Sequence, residues 1–282
     1  MKNILSIDLE SWIHFYEDAL KIKKLSSLER KKGDNHYIEV VLKKILDLLD
    51  AYNQKATFFI VSEIDEWYPE SIQEIKKRGH EIGYHTHTHS LLRNADILER
   101  ELLLSKKFIR KFKPKGFRAP QIYLTKDATA HLENHGFTYS SSTYDDYALV
   151  QYGELTEIPV SAISYRKKIL EKSLPKQLTF KMLFNKLPFG SGLFIALFGT
   201  NISKQINKLN KKGIPAIIFI HPWQMYQPNE IKSLKFKLRI LLKNPLCLPY
   251  TRNILRSMGN LFKQYQFTSF QQYYHGQRTI LG

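Results

Sequence analysis

Three histidines alternate over five residues in Gly83-Tyr-His85-Thr-His87-Thr-His89, in a chain that holds 10 His among 282 residues. Imidazole is the commonest protein metal ligand, and a His-x-x-x-His spacing puts both rings on one face if a helical turn begins there. In extended backbone His85 and His87 would share a side instead, so spacing alone leaves the ligating pair open. A second group, Asp8-Leu-Glu10, sets carboxylates at i and i+2, which point the same way along a strand. Alone, such a pair is more often a cap or a surface ion pair. Beside the histidines it completes a site of two imidazoles and one carboxylate with an open position, the pattern of catalytic zinc. One carboxylate would bind the ion and the other take a proton from its water.

Two further residues stand where strands should end. Arg118, in Gly116-Phe-Arg-Ala-Pro120, can pair with the base carboxylate and hold its orientation. His221 follows the most apolar strand of the chain, Ala216-Ile-Ile-Phe-Ile220. At the exit of a parallel strand it occupies the position where barrel enzymes keep catalytic groups, and an imidazole suits protonation of an amine leaving group. Trp12 and Trp223, each close to a candidate, offer flat stacking faces beside the site; ordinary core packing accounts for them equally well.

Short apolar runs alternate with amphipathic segments to deliver these residues. Strands are expected at Asn3–Asp8, Ala56–Val61, His80–Tyr84, Gly116–Pro120, Phe137–Tyr139, Glu157–Val160 and Ala216–Ile220. Helical spacing runs through His36–Tyr52, Ile64–Arg78, Ile97–Phe112 and Lys126–His135. A charged loop of about 25 residues is expected after the first strand, reaching through Lys21–Asp34. This alternation predicts parallel βα units, in a barrel or an open doubly wound sheet. With no internal repeat or low-complexity linker, residues 1–282 read as one domain, a core over about 1–227 followed by a basic helical tail over about 228–282.

An apolar fraction of 43% excludes a disordered or fibrous chain. A single cysteine, Cys247, allows no internal disulfide. The start, MKNILSIDLESW, lacks the apolar core and cleavage site of a signal peptide, and no apolar run reaches the length of a spanning helix. A cytoplasmic protein is therefore expected, with a peripheral place at the inner membrane face. The net charge of +17 is uneven: residues 161–282 hold 20 Lys/Arg and only two acids, Glu171 and Glu230. That imbalance points to an anionic partner: a membrane surface, a lipid-linked phosphate, an anionic glycan or nucleic acid, the last ranked below the membrane because no nucleic-acid motif is present.

The ordered set of motifs resembles the NodB-type polysaccharide deacetylases, carbohydrate esterase family 4, in the branch whose first motif is Asp-x-Glu. The resemblance runs through Ser6-Ile-Asp8-Leu-Glu10, Ala56-Thr-Phe-Phe, Glu81-Ile-Gly-Tyr-His85-Thr-His-Thr-His89 and Gly116-Phe-Arg118-Ala-Pro120. It continues through Phe137-Thr-Tyr139-Ser-Ser141-Ser, Glu157-Ile-Pro-Val, Gly190-Ser-Gly192 and Phe219-Ile-His221-Pro-Trp223. It implies an α/β fold, a distorted (β/α)7 barrel of NodB type with a C-terminal helical extension, that hydrolyses the N-acetyl group of an amino sugar in a polysaccharide or its lipid-linked precursor.

By the same resemblance Glu10, His85 and His89 hold one divalent ion, Zn2+ first among candidates, and His87 is a spacer or stands just behind the ligands. Asp8 is the base, Arg118 its tether and His221 the acid. Pro120, Tyr139 and Ser141 join the tryptophans in contacting substrate, and a backbone N–H near Ser140 meets the oxyanion. Two positions depart from the family pattern: Ser11 stands where another acid is common, and Ser140 where an Asp usually helps set the catalytic histidine. Hydrolysis of another small amide, such as a ureide or formyl group, and a catalytically weak glycan-binding barrel are the competing readings.

Overall fold

Strand β1 (Lys2–Leu9) is buried at every position after Lys2. Apolar side chains on both faces are what a parallel strand covered by helices on each side demands. The computed structural model describes residues 1–146, 149–165 and 178–273. The remaining strands are β2 (Thr57–Ile60), β3 (Glu81–Tyr84), β4 (Gly116–Phe117), β5 (Tyr139–Ser140), β6 (Tyr144–Asp145), β7 (Val150–Tyr152), β8 (Leu155–Glu157), β9 (Val160–Ser161), β10 (Ile163–Ser164), β11 (Lys186–Leu187), β12 (Ile217–Ile220) and β13 (Gln266–Thr268). The main sheet is mixed, in the order β12-β1-β2-β3-β4-β5-β8-β7, with β13 pairing β1. Among the described residues only the edge pair β7–β8 is antiparallel in it.

The two sides of this sheet are bridged through β9. Gly190 donates its N–H to Ser161 O at 2.9 Å, Phe219 donates to Gly190 O at 2.8 Å, and Ile217 N–H reaches Ser161 Oγ at 2.8 Å. A Cβ at position 190 would lie 2.2 Å from the Ile217 carbonyl oxygen, so only glycine lets the segment approach this closely. These links curve the strand ends toward one another. The residues following β1, β3, β4 and β12 consequently converge on one end of the sheet.

Several elements depart from the sequence reading. The expected loop after β1 holds two helices, Trp12–Leu20 and Ser27–Asp34. Each opens on a serine cap, Ser11 and Ser26, whose hydroxyl accepts a backbone N–H. Periodicity misses them because both are short and the second carries little but charge. The helix expected over Ile97–Phe112 breaks at Ser105, whose hydroxyl turns back onto Glu101 O at 2.8 Å. The basic tail is not only helical: after the helices Leu234–Lys243 and Leu255–Gln264 the chain enters β13, which pairs in parallel with Lys2–Ile4. Residues 274–282 of that tail lie outside the described residues. No helix among the described residues is long and apolar enough to cross a membrane.

One buried group sets a pH limit on this core. His80 Nδ1 accepts the Ala56 N–H at 3.3 Å, and burial, with Lys55 nearby, pushes its pKa down to about 4. The unfolded chain takes a proton near the ordinary value of 6.5, so between 6.5 and 4 it binds a proton that the folded state does not. Stability is therefore complete above that window and falls as pH drops through it, by about 3 kcal/mol in all. Denaturation midpoints of His80→Gln should decline more gently across this range than those of wild type. Equal slopes would assign the acid sensitivity elsewhere.

Candidate active site

Four strand ends and one loop build the site. β1 delivers Asp8 and, one residue past its end, Glu10; β3 delivers His85; β4 delivers Arg118; β12 delivers His221. Glu10, His85 and His89 bring one ligand atom each to within 4.8 Å of one another, and all are buried. His89 Nε2 lies 3.3 Å from Glu10 Oε2, an oxygen with no hydrogen-bond partner. Burial raises the Glu10 carboxyl to about 7 against the pull of His89 and His14. A buried carboxylate oxygen without a donor, facing two imidazoles, is a group that a cation would satisfy.

Both histidines are held from behind. His85 Nδ1 donates to Arg118 O at 2.7 Å, which leaves its Nε2 free. His89 Nδ1 sits 2.8 Å from Asp18 Oδ2, off the hydrogen-bond direction, and Asp18 is in turn tied to Lys24 at 2.8 Å. Outer groups of this kind fix which ring nitrogen is presented to an ion. Thr86 and His89 take left-handed φ values of 65° and 56°, a costly backbone for side chains with a Cβ. Glu101 stabilises that loop, its carboxylate accepting the N–H groups of His87 and Thr88 at 2.8 and 2.7 Å and the Thr88 hydroxyl at 2.9 Å. His87 points elsewhere, its Nδ1 2.9 Å from Ser62 Oγ.

Arg118 is fully buried between the rings of Phe59 and Phe219, 4.6 and 5.0 Å from their centroids. It donates to Asp8 Oδ1 at 3.1 Å and to Ser141 Oγ at 2.9 Å. His221 stacks on Trp223 at 4.4 Å, and its Nδ1 donates to Gln224 Oε1 at 3.1 Å, which leaves Nε2 3.3 Å from Glu10 Oε1. Burial holds the His221 pKa below the usual imidazole range, partly offset by the charge of Asp8. Gln224 thus orients His221, and Ser140 meets Ser142 Oγ instead, at 2.8 Å.

A cavity of about 290 Å³ opens over these groups, with Asp8, Glu10, His85, His89, His221 and Trp223 in its wall. Of the other residues expected to contact substrate, none lines it. Trp12 lies against Tyr16 and borders a separate cavity. The Tyr139 hydroxyl donates to Glu81 at 2.7 Å inside the core, Ser141 is engaged by Arg118, and Pro120 opens a buried turn. The N–H groups of Ser141 and Ser142 are donated to Phe117 O and Glu157 Oε1, so neither is free for an oxyanion. Tyr144, Tyr250 and Cys247 line the cavity instead. Sequence reading passes over these three, along with Asp18 and Glu101, because none sits in a recognisable spacing. A lone acid on a charged helix resembles any solvated one.

Residues 33–140 match the family model described as polysaccharide deacetylase. A peptidoglycan-N-acetylglucosamine deacetylase of Bacillus cereus is 38% identical over 85 residues, which are 29% of this chain and 40% of that protein. Over these residues the chain resembles the polysaccharide deacetylases. The chain is also similar to a peptidoglycan deacetylase-like protein, FGM2, of Gibberella zeae, 30% identical over 132 residues, 44% of this chain and 38% of that one. The chain spans less than half the length of these curated relatives. Two solved structures share the fold of this chain at a TM-score of 0.54. One is assigned as a polysaccharide deacetylase of Mycobacterium smegmatis, 16% identical and covering 93% of this chain and 91% of that one. The other is the Puue allantoinase, 14% identical and covering 96% and 87%.

Proposed function

We propose that this protein removes N-acetyl groups from the amino sugars of a glycan by metal-assisted amide hydrolysis. The observation that carries the proposal is the buried Glu10-His85-His89 cluster beside an Asp8 held by Arg118, in one cavity with His221. Glu10, His85 and His89 would hold a divalent ion, zinc being favoured by two imidazoles and a carboxylate. Bound there, the ion supplies polarisation of the acetyl carbonyl and a more acidic water.

The protein's own groups do the proton transfers. Asp8 accepts a proton from the attacking water, and Arg118 holds its carboxylate in position. His221 releases a proton to the departing amine as the C–N bond breaks, leaving acetate and a free amino sugar. Its depressed pKa makes the imidazolium a ready donor. Trp223, stacked on His221 in the cavity wall, offers a face for the sugar ring.

Acetate release from defined N-acetylhexosamine oligomers and lipid-linked sugars, measured beside release from ureide and formamide substrates, tests the reading. Turnover of the acetylated sugars that ceases on chelation is the expected result. Turnover confined to ureides or formamides would move the chemistry to another amide.

A further inference from the structure

Helix Leu234–Lys243 turns apolar residues outward as well as inward. Phe236 and Ile240 are buried against helix Trp12–Leu20, where Phe236 meets Phe15 and Tyr16. At 100° per residue, Leu234, Leu238, Leu241 and Leu242 cluster on the opposite side of the helix. They are 72%, 51%, 49% and 84% exposed. A helix on a protein surface ordinarily gives that outer ridge to polar residues. Here Lys235 and Lys237 flank the leucines instead, and the sequence holds no acidic residue beyond Glu230.

This ridge adjoins the site. From Lys243 the chain runs directly into Asn244, Leu246 and Cys247, all in the cavity wall. A second exposed apolar group is tied to the same cavity: Leu178 lines it, and just after it Phe180 and Phe184 are 58% and 72% exposed.

We infer that helix Leu234–Lys243 is an interfacial anchor that seats the protein on an anionic membrane, its leucines in the headgroup boundary and its lysines on lipid phosphates. Leucines flanked by cations are the arrangement that an anionic bilayer complements. A second copy of this chain would bring the same cations against it, and with a net charge of +17 the two would repel. A soluble polyanion would engage the lysines but leave the leucines in water. The location next to the cavity, taken with the proposed deacetylation, names the substrate class as an N-acetylated amino sugar carried on a membrane lipid.

The test is co-sedimentation of the full chain with vesicles of phosphatidylcholine alone and with about 30% phosphatidylglycerol. Wild type should bind the anionic vesicles, release several-fold as salt rises from about 50 to about 500 mM, and bind neutral vesicles weakly. The double variant Leu238→Glu/Leu242→Glu, both positions exposed, should bind anionic vesicles about tenfold less. It should keep its activity on a water-soluble acetylated oligomer and lose it on the lipid-linked sugar. Vesicle binding unaffected by the leucine changes would overturn the anchor, as would dimerisation or heparin binding without vesicle binding. Sedimentation needs no catalysis, so a protein that docks but releases no acetate keeps the anchor and refutes only the deacetylase reading.

Discussion

Asp8→Asn is expected to lower turnover by about 10²- to 10⁴-fold, the range a positioned general base contributes, while one equivalent of metal stays bound. The amide keeps the shape of the carboxylate but cannot accept the water's proton. Glu10, not Asp8, faces both His85 and His89, which is why the ion should remain. The change also leaves the fully buried Arg118 without its charge partner at 3.1 Å. A buried charge stripped of its partner commonly costs about 3–5 kcal/mol, so a lower melting temperature should accompany the lost turnover. Elemental analysis and initial rates on the same preparation separate the two effects. If Asp8→Asn empties the site and Glu10→Gln does not, the two carboxylates have exchanged roles.

The double variant His85→Ala/His89→Ala should purify without metal and without measurable turnover. Each imidazole is set by a group behind it, the Arg118 carbonyl for His85 and Asp18 for His89, so no neighbouring side chain can take its place. His87 is the internal control. It is as close in sequence, but its ring meets Ser62, and His87→Ala should keep the metal. Full stoichiometric metal in the double variant, with the circular dichroism of wild type, would remove the ligand assignment.

The residues at strand exits are the most legible part of the sequence. His85, Arg118 and His221 each follow a buried strand and Asp8 lies in the last pleat of another, so pattern and place coincide. What supports them is not legible. Glu101 lies 12 residues beyond His89 on a helix whose charges look solvated, and only the folded chain brings its carboxylate under the histidine loop. Asp18 is hidden in the same way, inside a segment that reads as a loop. Tyr139 fails in the other direction: its place in a quoted motif suggests contact with substrate, whereas the strand's alternation turns its ring inward against Phe270. Trp12 and Trp223 cannot be told apart by sequence. The helical start after Ser11 points Trp12 away from the cavity, and the turn after His221 lays Trp223 in its wall.

Because Lys2, Asn3 and Ile4 find partners at Gln266, Phe267 and Thr268, β1 is among the last strands to be completed although it precedes the other strands described in sequence. Its other edge waits for Ile217–Ile220. Contacts this distant along the chain close slowly, since the entropy of a very long loop must be paid before any pairing rewards it. The histidine loop, with Glu101 nearby in sequence, can form from the emerging first half of the chain. The carboxylates at the far end of β1 cannot be fixed against His221 until synthesis has passed β12. Closure of the cavity is thereby deferred to the closing stage of folding, and a chain halted before β12 would hold Asp8, Glu10 and the histidine loop without His221 to complete the wall.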